Sequence, residues 1–479
     1  MTEKTNLSML VDFYELTMGN GYLRNGFGDT EVCFDMFFRR VPDGGGYAVF
    51  AGLEQFIGYI KSLSFTDEDI EFLRSKKIFC EEFLEYLKNF RFECDVWAVP
   101  EGTPVFPNEP LVTVRGPIIQ AQLIETMLLL TFNHQSLIAT KASRIVRAAQ
   151  GKYVMEFGSR RAQGADAAIY GARAAYIGGC SGTSCAISDR DCDVPSAGTM
   201  AHSWVQLFPT ELEAFRAYAK CYPYNCIFLV DTYNTLKSGV PNAIKVFQEL
   251  DEKGYRPGGI RIDSGDIAYI SKKARQMLDA AGFHDCSIIA SNALDEYLIR
   301  DLVNQGAMVD SFAVGERLIT SKSEPVFGGV YKLAAVMENG VMTPKIKLSE
   351  NSSKITNPGV KKTVRLFCRE TGMAIADVIL LEDEVIDETK PYEIFDPECT
   401  YKRKTIENFV AKPLMEKIFE KGLCVYESPS VHKIRSYCKT ELSKIWDEVR
   451  RFENPHKYYV DLSEKLWSLR QEHISRYYR

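Results

Sequence analysis

Several signatures of common protein classes are missing from this sequence of 479 residues. Its 13 cysteines are an odd number and include no CxxC pair, which argues against a disulfide framework and against the common zinc sites. The one cysteine cluster, formed by Cys180, Cys185 and Cys192, has a spacing that suits no common zinc site, so we interpret it as structural. Reduced thiols of this kind indicate a cytoplasmic protein.

Long apolar runs and a strong excess of either charge are also missing. The most apolar run, Met127–Phe132, is far too short to span a membrane, and the first ten residues lack the basic start and apolar core of a signal peptide. With a net charge of −6 and mixed acids and bases, the chain has no polybasic arm for nucleic acid or a membrane surface. We therefore expect neither partner, and any anionic ligand must be met by a local basic pocket.

What the sequence does contain is a repeated strand–helix rhythm in its middle. Four short apolar runs end near Asp231, Asp263, Ser291 and Gly315, which are 32, 28 and 24 residues apart, and helical patterns follow most of them. This spacing is typical of βα units and predicts a parallel sheet. Because no GxGxxG motif opens the first helix, we favour an irregular TIM-like α/β barrel over an open dinucleotide-binding sheet.

The segments on either side of this rhythm have other patterns. Helical periodicity followed by short strands predicts an α+β domain over residues 1–136, and strands with a hairpin turn at 338–340 return to that domain over residues 322–400. The barrel occupies residues 137–321, and the charged residues 401–479 predict a mostly helical C-terminal region. The length of the chain fits two or three domains.

Polar side chains gather where the predicted parallel strands end, which is where α/β folds build their active sites. Arg261 and Asp263 alternate along one strand and therefore share a face. This pair suits either a buried salt bridge or a site for a carboxylate or phosphate. Asp266 has the position of a helix cap, whereas Asp231 and Asp263 precede the expected cap positions.

Two loops indicate an anion site, and one histidine is ambiguous. Arg160 and Arg161 follow a strand in a loop with glycine and serine, which favours an anion pocket over two surface arginines. Gly315 begins a turn that suits close approach of a phosphate to backbone N–H groups. His202 lies two residues before Trp204, among small and apolar residues. A catalytic role in hydrolysis, a metal site and core packing are all compatible with a histidine at this position, and its neighbours by themselves favour packing.

Nine motifs, in order along the chain, resemble those of the nicotinate phosphoribosyltransferases, which are type II phosphoribosyltransferases. The match covers about Leu10 to Gly359. Its motifs read "MLVDFYELTM", "FFRRVPDGGGYAVFAGL", "PEGTPVFPNEPLV", "EFGSRRAQG", "AGTMAHSWV", "LVDTYNTLKSGVPNAI", "RIDSGD", "SNALDE" and "GGVYKLAAV". Several motifs in register are far more specific than any one of them. The C-terminal region resembles the family weakly, and no residue role is carried over to it.

The resemblance implies a reaction of NAD salvage. Nicotinate and phosphoribosyl pyrophosphate give nicotinate mononucleotide and pyrophosphate, coupled to ATP hydrolysis and assisted by Mg²⁺. The histidine of the family's GTxAHS motif is phosphorylated by ATP, so His202 is implied to be a transient phosphohistidine, which the chemistry of neutral imidazole permits. Asp231 and Asp263 are implied to lie near the ribose, where carboxylates stabilise the positive charge that develops at the anomeric carbon.

Binding roles follow from the same motifs. Tyr14 and Phe157 are implied to stack the pyridine ring, Thr199 to line the base pocket, and Arg261 to face the nicotinate carboxylate. Implied phosphate or phosphoribosyl contacts are Arg160, Ser291, Asn292, Gly315, Glu316, Lys347 and Lys354. The two lysines resemble family residues that reach phosphates across a dimer, although two solvated loop lysines would have the same sequence.

One position departs from the family pattern. Several relatives have Gly-Thr-Ser where this chain has Gly315, Glu316 and Arg317. A glutamate there repels a phosphate unless it points away or Arg317 compensates its charge.

The resemblance also implies a head-to-tail homodimer with two shared active sites. Tyr14 and Lys347 of one chain would complete the site that holds His202 in the other. We expect the helix that carries Tyr14 to be short and to break at residues 19–21, which read Gly-Asn-Gly.

Two alternative functions remain open from the sequence. A nicotinamide phosphoribosyltransferase would need an acidic acceptor for the amide NH₂ group, and the "GTMAHS" form favours nicotinate instead. A barrel without catalytic activity that binds a nucleotide and regulates a partner is the second alternative, and the intact His202, Arg261 and Asp263 argue against it.

Overall fold

A computed structural model describes residues 6–351 and 354–477 of the protein. It divides into two compact units, of which unit 1 comprises residues 1–137 and 326–479 and unit 2 comprises residues 138–325. The segments on both sides of the predicted barrel thus belong to one unit.

The first part of unit 1 mixes helices with short strands. In chain order these are α1 (Phe13–Arg24), β1 (Glu31–Phe37), β2 (Ala48–Val49), α2 (Leu53–Ser62), α3 (Asp67–Ser75), α4 (Glu81–Lys88), β3 (Asp95–Ala98), β4 (Pro104–Val105), β5 (Val112–Pro117), α5 (Ile118–Leu123) and α6 (Glu125–Ala148). The boundary with unit 2 falls within α6.

Unit 2 alternates strands with helices. Its elements are β6 (Tyr153–Glu156), α7 (Ala165–Ile177), β7 (Gly182–Thr183), α8 (Ala186–Cys192), α9 (His202–Leu207), α10 (Glu211–Cys221), β8 (Ile227–Leu229), α11 (Val240–Asp251), β9 (Gly259–Ile262), α12 (Ile267–Ala280), β10 (Ser287–Ala290), α13 (Glu296–Asn304), β11 (Ser311–Val314) and α14 (Glu316–Ile319).

The chain then returns to unit 1 mainly as strands. These elements are β12 (Val330–Glu338), β13 (Val341–Pro344), β14 (Lys361–Cys368), β15 (Ala374–Leu381), β16 (Tyr392–Phe395), β17 (Arg403–Ile406), β18 (Phe409–Pro413), β19 (Glu416–Glu420), β20 (Leu423–Cys424), α15 (Val431–Ser443), β21 (Val460–Leu462) and α16 (Glu464–Tyr477).

The largest sheet of unit 1 joins strands from both ends of the sequence. Its order is β13-β12-β1-β5-β3-β19-β20, and a second sheet has the order β18-β14-β15-β21. The predicted hairpin at 338–340 is confirmed, because β12 and β13 pair antiparallel around Asn339 and Gly340, whose φ angles of 53° and 80° suit a two-residue hairpin turn.

Unit 2 contains the predicted parallel sheet, with six strands in the order β7-β6-β11-β10-β9-β8. If the two ends of this order are joined, the strands follow one another in chain order from β6 to β11. The ring is open between β7 and β8, which are not paired within the described residues. The strands are short and apolar, and Ile260, Ile262 and Ile288 are fully buried, as expected for a sheet covered on both faces. The ladder is therefore open at one point, and a closed barrel stays a prediction.

Helix α1 runs through the glycines at which a break was expected. Asn20 is buried and accepts a hydrogen bond from the Cys80 backbone N–H at 3.0 Å, and a Cβ atom on Gly19 would lie 3.0 Å from the Phe83 ring. The prediction of a break at residues 19–21 is wrong, because these residues allow close packing of α1 against α4 rather than a turn.

Glu15 attaches the start of α1 to α6. Its carboxylate is fully buried and accepts a hydrogen bond from the Thr126 hydroxyl at 2.6 Å. Burial, together with the nearby carboxylates of Glu125 and Asp12, raises the pKa of Glu15 from 4.5 to about 7. A group with a raised folded-state pKa stabilises the fold below its unfolded pKa, and this contribution is lost as pH rises through about 7.

We therefore expect Glu15→Gln to increase the free energy of unfolding at pH 8 by about 2 kcal/mol, with allowance for solvent screening, and to leave it nearly unchanged at pH 4.5. Urea unfolding of both proteins at the two pH values measures this difference. The control is Glu407→Gln, at an exposed glutamate of the same unit, and its effect on the free energy of unfolding should not depend on pH. A Glu15→Gln protein that is equally stabilised at both pH values would contradict the assignment.

The C-terminal region is less helical than expected. Residues 403–424 form β17 to β20, and helices follow only at α15 and α16. The prediction of a mostly helical region is wrong for this part, because β19 pairs with β3, a strand some 300 residues earlier in the sequence. Within the described part of the chain, no helix is both long and apolar enough to cross a membrane.

Candidate active site

Five parallel strands of unit 2 bring candidate residues to one edge of the sheet. Phe157 follows β6, Asp263 follows β9, Ser291 follows β10 and Gly315 follows β11, while Asp231 comes two residues after the end of β8. Because the carboxyl ends of parallel strands lie at one edge, residues far apart in sequence share one site.

Arg261, near the carboxyl end of β9, is 14% exposed. Its Nε donates to the Ser291 hydroxyl at 3.1 Å, and Nη1 donates to the Thr199 hydroxyl at 3.0 Å. Nη2 lies 3.6 Å from a carboxylate oxygen of Asp263, which also accepts a hydrogen bond from Ser291. The guanidinium is therefore held in one orientation while part of it still faces solvent.

The carboxylate of Asp231 organises the loop after β9. Its Oδ2 accepts hydrogen bonds from the Asp263 backbone N–H at 3.1 Å and from the Ser264 hydroxyl at 2.5 Å. Its Oδ1 is buried and has no hydrogen-bond partner among the described residues. Asp231 is thus not a helix cap, whereas Asp266 caps α12 as predicted, accepting from the Tyr269 N–H at 2.9 Å. The free oxygen suits a cation or a sugar hydroxyl.

His202 is the first residue of α9, and its side chain is 40% exposed. Its Nδ1 lies 3.1 Å from the Thr232 hydroxyl, and its Nε2 lies 3.8 Å from Asp263 Oδ2. The histidine therefore stands beside the Asp263 and Arg261 group instead of being packed in a core. Sequence reasoning missed Thr232, although its place directly after Asp231 was a usable signal.

The loop after β6 is tied down by a buried glutamate that the sequence analysis also missed. Glu156 accepts hydrogen bonds from the Thr183 hydroxyl at 2.6 Å and from the Gly158 N–H, and burial raises the pKa of Glu156. The Phe157 N–H donates to the Val314 carbonyl at 2.7 Å. These bonds fix the Phe157 backbone at the carboxyl end of the sheet.

Glycine is required where this loop meets β11. A Cβ atom on Gly158 would lie 2.7 Å from the Gly315 carbonyl oxygen. Arg160 and Arg161 follow in a short 3₁₀ turn and are exposed. Asn292 is also exposed, and its φ of 106° opens the turn after Ser291. The predicted phosphate contacts of unit 2 thus lie on loops at the carboxyl edge of the sheet.

The charge of Glu316 is compensated mainly by Lys322. Lys322 lies 2.6 Å from Glu316, and this contact, with Arg161 at 4.0 Å, holds the pKa of Glu316 below its usual value. Arg317 instead hydrogen-bonds to Asp295, the cap of α13. Of the two conditions considered, compensation by charge is met, with Lys322 as the main partner of Glu316 and Arg317 as a minor contributor.

Three predicted site residues belong to unit 1 rather than unit 2. Tyr14, on α1, is 44% exposed. Lys347 and Lys354 have exposed side chains, and their backbone N–H groups donate to the Thr356 hydroxyl at 3.0 Å and to a carbonyl of the same loop at 2.9 Å. Both lysines are available to a ligand.

No group of three or more histidine, cysteine, aspartate or glutamate side chains in the described part of the chain is placed to hold a metal ion. Cys180 and Cys185 are buried, and Cys192 is partly exposed.

Comparison with known proteins assigns the chain to a family. The nicotinate phosphoribosyltransferase (NAPRTase) N-terminal domain matches residues 9–133, and the C-terminal domain of the same family matches residues 360–470. The chain is 45% identical to nicotinate phosphoribosyltransferase of Bacillus subtilis over 98% of its own length and 95% of that protein. The chain belongs to the nicotinate phosphoribosyltransferase family. Nicotinate phosphoribosyltransferase of Dictyostelium discoideum is 36% identical, with 96% of this chain and 87% of that protein covered.

Solved structures of the family agree with the fold. The crystal structure of human nicotinic acid phosphoribosyltransferase matches with a TM-score of 0.86 at 30% identity, covering 96% of this chain and 99% of that one. Nicotinate-nucleotide pyrophosphorylase from Pyrococcus furiosus matches with a TM-score of 0.69 at 24% identity, which shows a shared fold alone. The mixed α/β architecture with its parallel sheet is therefore that of the nicotinate phosphoribosyltransferase family.

Proposed function

We propose that this protein is a cytoplasmic nicotinate phosphoribosyltransferase of NAD biosynthesis, which couples nicotinate mononucleotide formation to ATP hydrolysis. The observation that carries the proposal is the grouping of Arg261, Asp263 and His202 at one sheet edge, in a chain that is 45% identical to the Bacillus subtilis enzyme. A carboxylate substrate fits the Arg261 guanidinium, and a phosphoryl group fits the exposed imidazole.

Arg261 would bind the nicotinate carboxylate, and Phe157 would stack the pyridine ring. The ring nitrogen attacks the anomeric carbon of phosphoribosyl pyrophosphate. The new C–N bond forms as the C–O bond to pyrophosphate breaks, and the bonding electrons leave with the pyrophosphate oxygen. The carboxylates of Asp231 and Asp263 stabilise the positive charge at the anomeric carbon in the transition state.

The donor set fits Mg²⁺. Asp231 and Asp263 supply the oxygen ligands that this ion prefers, and the buried Oδ1 of Asp231 has no hydrogen-bond partner among the described residues. These two side chains would hold the ion together with substrate oxygens, and its charge would assist departure of pyrophosphate.

His202 would accept the γ-phosphoryl group of ATP through Nε2, because Nδ1 is engaged by Thr232. The N–P bond forms as the bond to the ADP oxygen breaks, and water later releases phosphate from the histidine. Thr232 would hold the imidazole so that the lone pair of Nε2 points into the site.

We also infer that unit 2 is an irregular α/β barrel interrupted between β7 and β8, since its strand order is otherwise that of a ring. Exposed phosphate-binding loops at its carboxyl edge, which include Arg160, Asn292 and Gly315, fit this function.

The direct test is the formation of nicotinate mononucleotide by the purified protein, with and without ATP. We expect turnover with nicotinate, a higher rate with ATP, and no comparable turnover with nicotinamide. Turnover of nicotinamide in preference to nicotinate would assign the protein to the amide-specific reaction. No turnover of either base would contradict the proposal.

The proposed assembly is a homodimer with two shared sites. The side chains of Leu10, Phe13, Tyr14 and Met18 are 41%, 48%, 44% and 37% exposed around α1, a large apolar surface for a monomer to leave in water. In the dimer, Tyr14 and Lys347 of the partner subunit would complete the site that contains His202. Obligate interfaces of this kind bury roughly 2,000 Å² or more.

Subunit complementation tests the shared site. Tyr14→Ala and His202→Ala chains are each expected to be inactive in the ATP-coupled reaction, and their mixture should regain activity after exchange. A hybrid dimer has one site with both lesions and one with neither, so about half of the wild-type activity per hybrid is expected under the isologous pairing of a two-fold dimer. Monomers in sedimentation experiments, or verified hybrids without activity, would contradict the shared-site arrangement.

A further inference from the structure

Helix α10 is attached to α9, the helix that begins with His202. The Trp204 indole N–H, two residues after the histidine, donates to the Ala214 carbonyl on α10 at 3.0 Å. The Trp204 ring also packs edge-on against Tyr218 of α10, with the ring centroids 5.8 Å apart. Because the indole combines a hydrogen bond with apolar packing, α10 fixes the helix that carries the histidine.

Glu211, the first residue of α10, connects this helix to α11 and to the turn before it. The residue is 4% exposed. Its Oε2 accepts hydrogen bonds from the Ser238 hydroxyl at 2.5 Å and from Asn242 Nδ2 at 3.0 Å. Its Oε1 is buried and has no hydrogen-bond partner among the described residues. A carboxylate is stable in such a place only where hydrogen bonds compensate its lost hydration, so Ser238 and Asn242 are bound firmly to α10.

Ser238 belongs to a single π-helical turn, Thr235–Gly239, which leads into α11. The N–H groups of the last two residues of this turn both donate to the Asn234 carbonyl at 2.9 Å. Turns of this kind are rare and occur frequently at functional sites. The hydrogen bond from Ser238 to Glu211 ties the turn to α10 and helps to hold the chain in this conformation.

The π-helical turn packs against the strand end that precedes Thr232. A Cβ atom on Gly239 would lie 1.8 Å from the Val230 carbonyl oxygen, so glycine is required for this close approach. The Val230 N–H donates to the Arg261 carbonyl at 3.1 Å, which continues the pairing of β8 with β9. Thr232, whose hydroxyl lies 3.1 Å from His202 Nδ1, is placed between these two anchored points. A displaced turn would therefore change where the Thr232 hydroxyl points.

We propose that Glu211 is a positioning residue for the transfer of a phosphoryl group to His202. Helix α10 holds the imidazole through Trp204 and holds Thr232 through Glu211, so it aligns the two partners of the hydrogen bond at Nδ1. That alignment directs the lone pair of Nε2, where the N–P bond forms as the bond to the ADP oxygen breaks. The inference rests on the proposed function, in which ATP phosphorylates this histidine.

The rate at which γ-labelled ATP labels the protein tests this role. Glu211→Ala removes the acceptor of Ser238 and Asn242, and the labelling rate should fall about tenfold, the usual effect of one lost charge-assisted hydrogen bond. Glu211→Gln keeps an oxygen in the same place and should restore the rate to within about threefold of wild type. The KM for nicotinate should not change in either variant, because Glu211 acts on the histidine and not on the base.

Glu249→Ala is the matched control. Glu249, near the end of α11, also joins this helix to α10, because Arg216 Nη2 lies 2.6 Å from its carboxylate, and its side chain is 37% exposed. A role confined to holding the two helices together would affect both variants alike, whereas we expect Glu249→Ala to be labelled at the wild-type rate. A folded Glu211→Ala protein that is labelled at the wild-type rate, or an equal decrease in Glu249→Ala, would overturn the inference.

Two further variants keep the test decisive. Ser238→Ala breaks the same hydrogen bond from its other end, so it should also slow labelling, and it takes the place of Glu211→Ala if that protein does not fold. Thr232→Val removes the hydroxyl beside the imidazole at similar volume and completes a double-mutant cycle. If Glu211 acts through Thr232, adding Glu211→Ala or Ser238→Ala to Thr232→Val should slow labelling no further. Fully additive effects, or wild-type labelling of Ser238→Ala, would contradict the proposed role.

Crystal structures of Glu211→Ala and Ser238→Ala give a result that does not depend on activity. The Thr232 hydroxyl should no longer lie within hydrogen-bond distance of His202 Nδ1, and an unmoved pair would overturn the inference. If ATP does not label the wild type but the two side chains do separate in the variants, the proposed phosphohistidine fails and the positioning role of Glu211 stands.

Discussion

His202→Ala is expected to abolish the stimulation of nicotinate mononucleotide formation by ATP while leaving the protein folded. His202 lies at the start of α9, half exposed, with Thr232 at Nδ1 and Asp263 beyond Nε2, so its loss removes the only atom to which we assign the phosphoryl group. Incubation of the wild type with γ-labelled ATP should give a label that is lost in acid and stable in base.

The matched control is His284→Ala. His284 is also in unit 2, its side chain is 74% exposed, and its Nδ1 contacts Asp279 at 3.2 Å outside the site. This variant should incorporate label and respond to ATP like the wild type. Equal labelling of His202→Ala and wild type would place the phosphoryl group elsewhere and remove the phosphohistidine from the mechanism.

Arg261→Ala is expected to raise the KM for nicotinate strongly. The guanidinium is 14% exposed and is preoriented by Ser291 and Thr199, so it can bind a carboxylate with little loss of side-chain freedom. Loss of such a contact from a desolvated site costs about 2–5 kcal/mol, which corresponds to roughly 30-fold or more in KM. Steady-state kinetics with each substrate varied in turn measure the effect.

Two further variants make this result specific. Arg261→Lys keeps the charge but not the planar fork, and we expect an intermediate nicotinate KM. Arg256→Ala, at an exposed arginine that pairs with Asp285 and Asp251, should leave the KM unchanged. A normal nicotinate KM together with a raised phosphoribosyl pyrophosphate KM in Arg261→Ala would mean that Arg261 serves a phosphate.

Local sequence patterns were sufficient for the elements that carry the site. The strand–helix spacing predicted the parallel sheet of unit 2, because a short apolar strand is buried on both faces only when connecting helices cover the sheet. The same spacing predicted that the residues following β9 to β11 meet at one edge. Asp266 was recognisable as a cap and residues 338–340 as a hairpin turn, since both depend on neighbours a few residues away.

Contacts between distant segments could not be predicted in this way. Gly19 and Asn20 have the composition of a helix break, yet close packing against α4 keeps them helical. The partner of Glu316 is Lys322 rather than the adjacent Arg317, because Asp295 on another loop takes the arginine. Strands β18 and β19 depend on partners elsewhere in unit 1, since β18 pairs with β14 and β19 with β3.

The sequence by itself determined the parallel sheet, the polar residues at its strand ends and, through its motifs, the family, since each of these depends on spacing along the chain. Tertiary structure alone decided that Thr232 meets His202, that one buried oxygen of Asp231 has no hydrogen-bond partner among the described residues, and that Glu156 accepts a hydrogen bond from Thr183. The physical reason is that hydrogen bonds and ion pairs extend over only a few ångströms, so their partners are known only once the chain has folded.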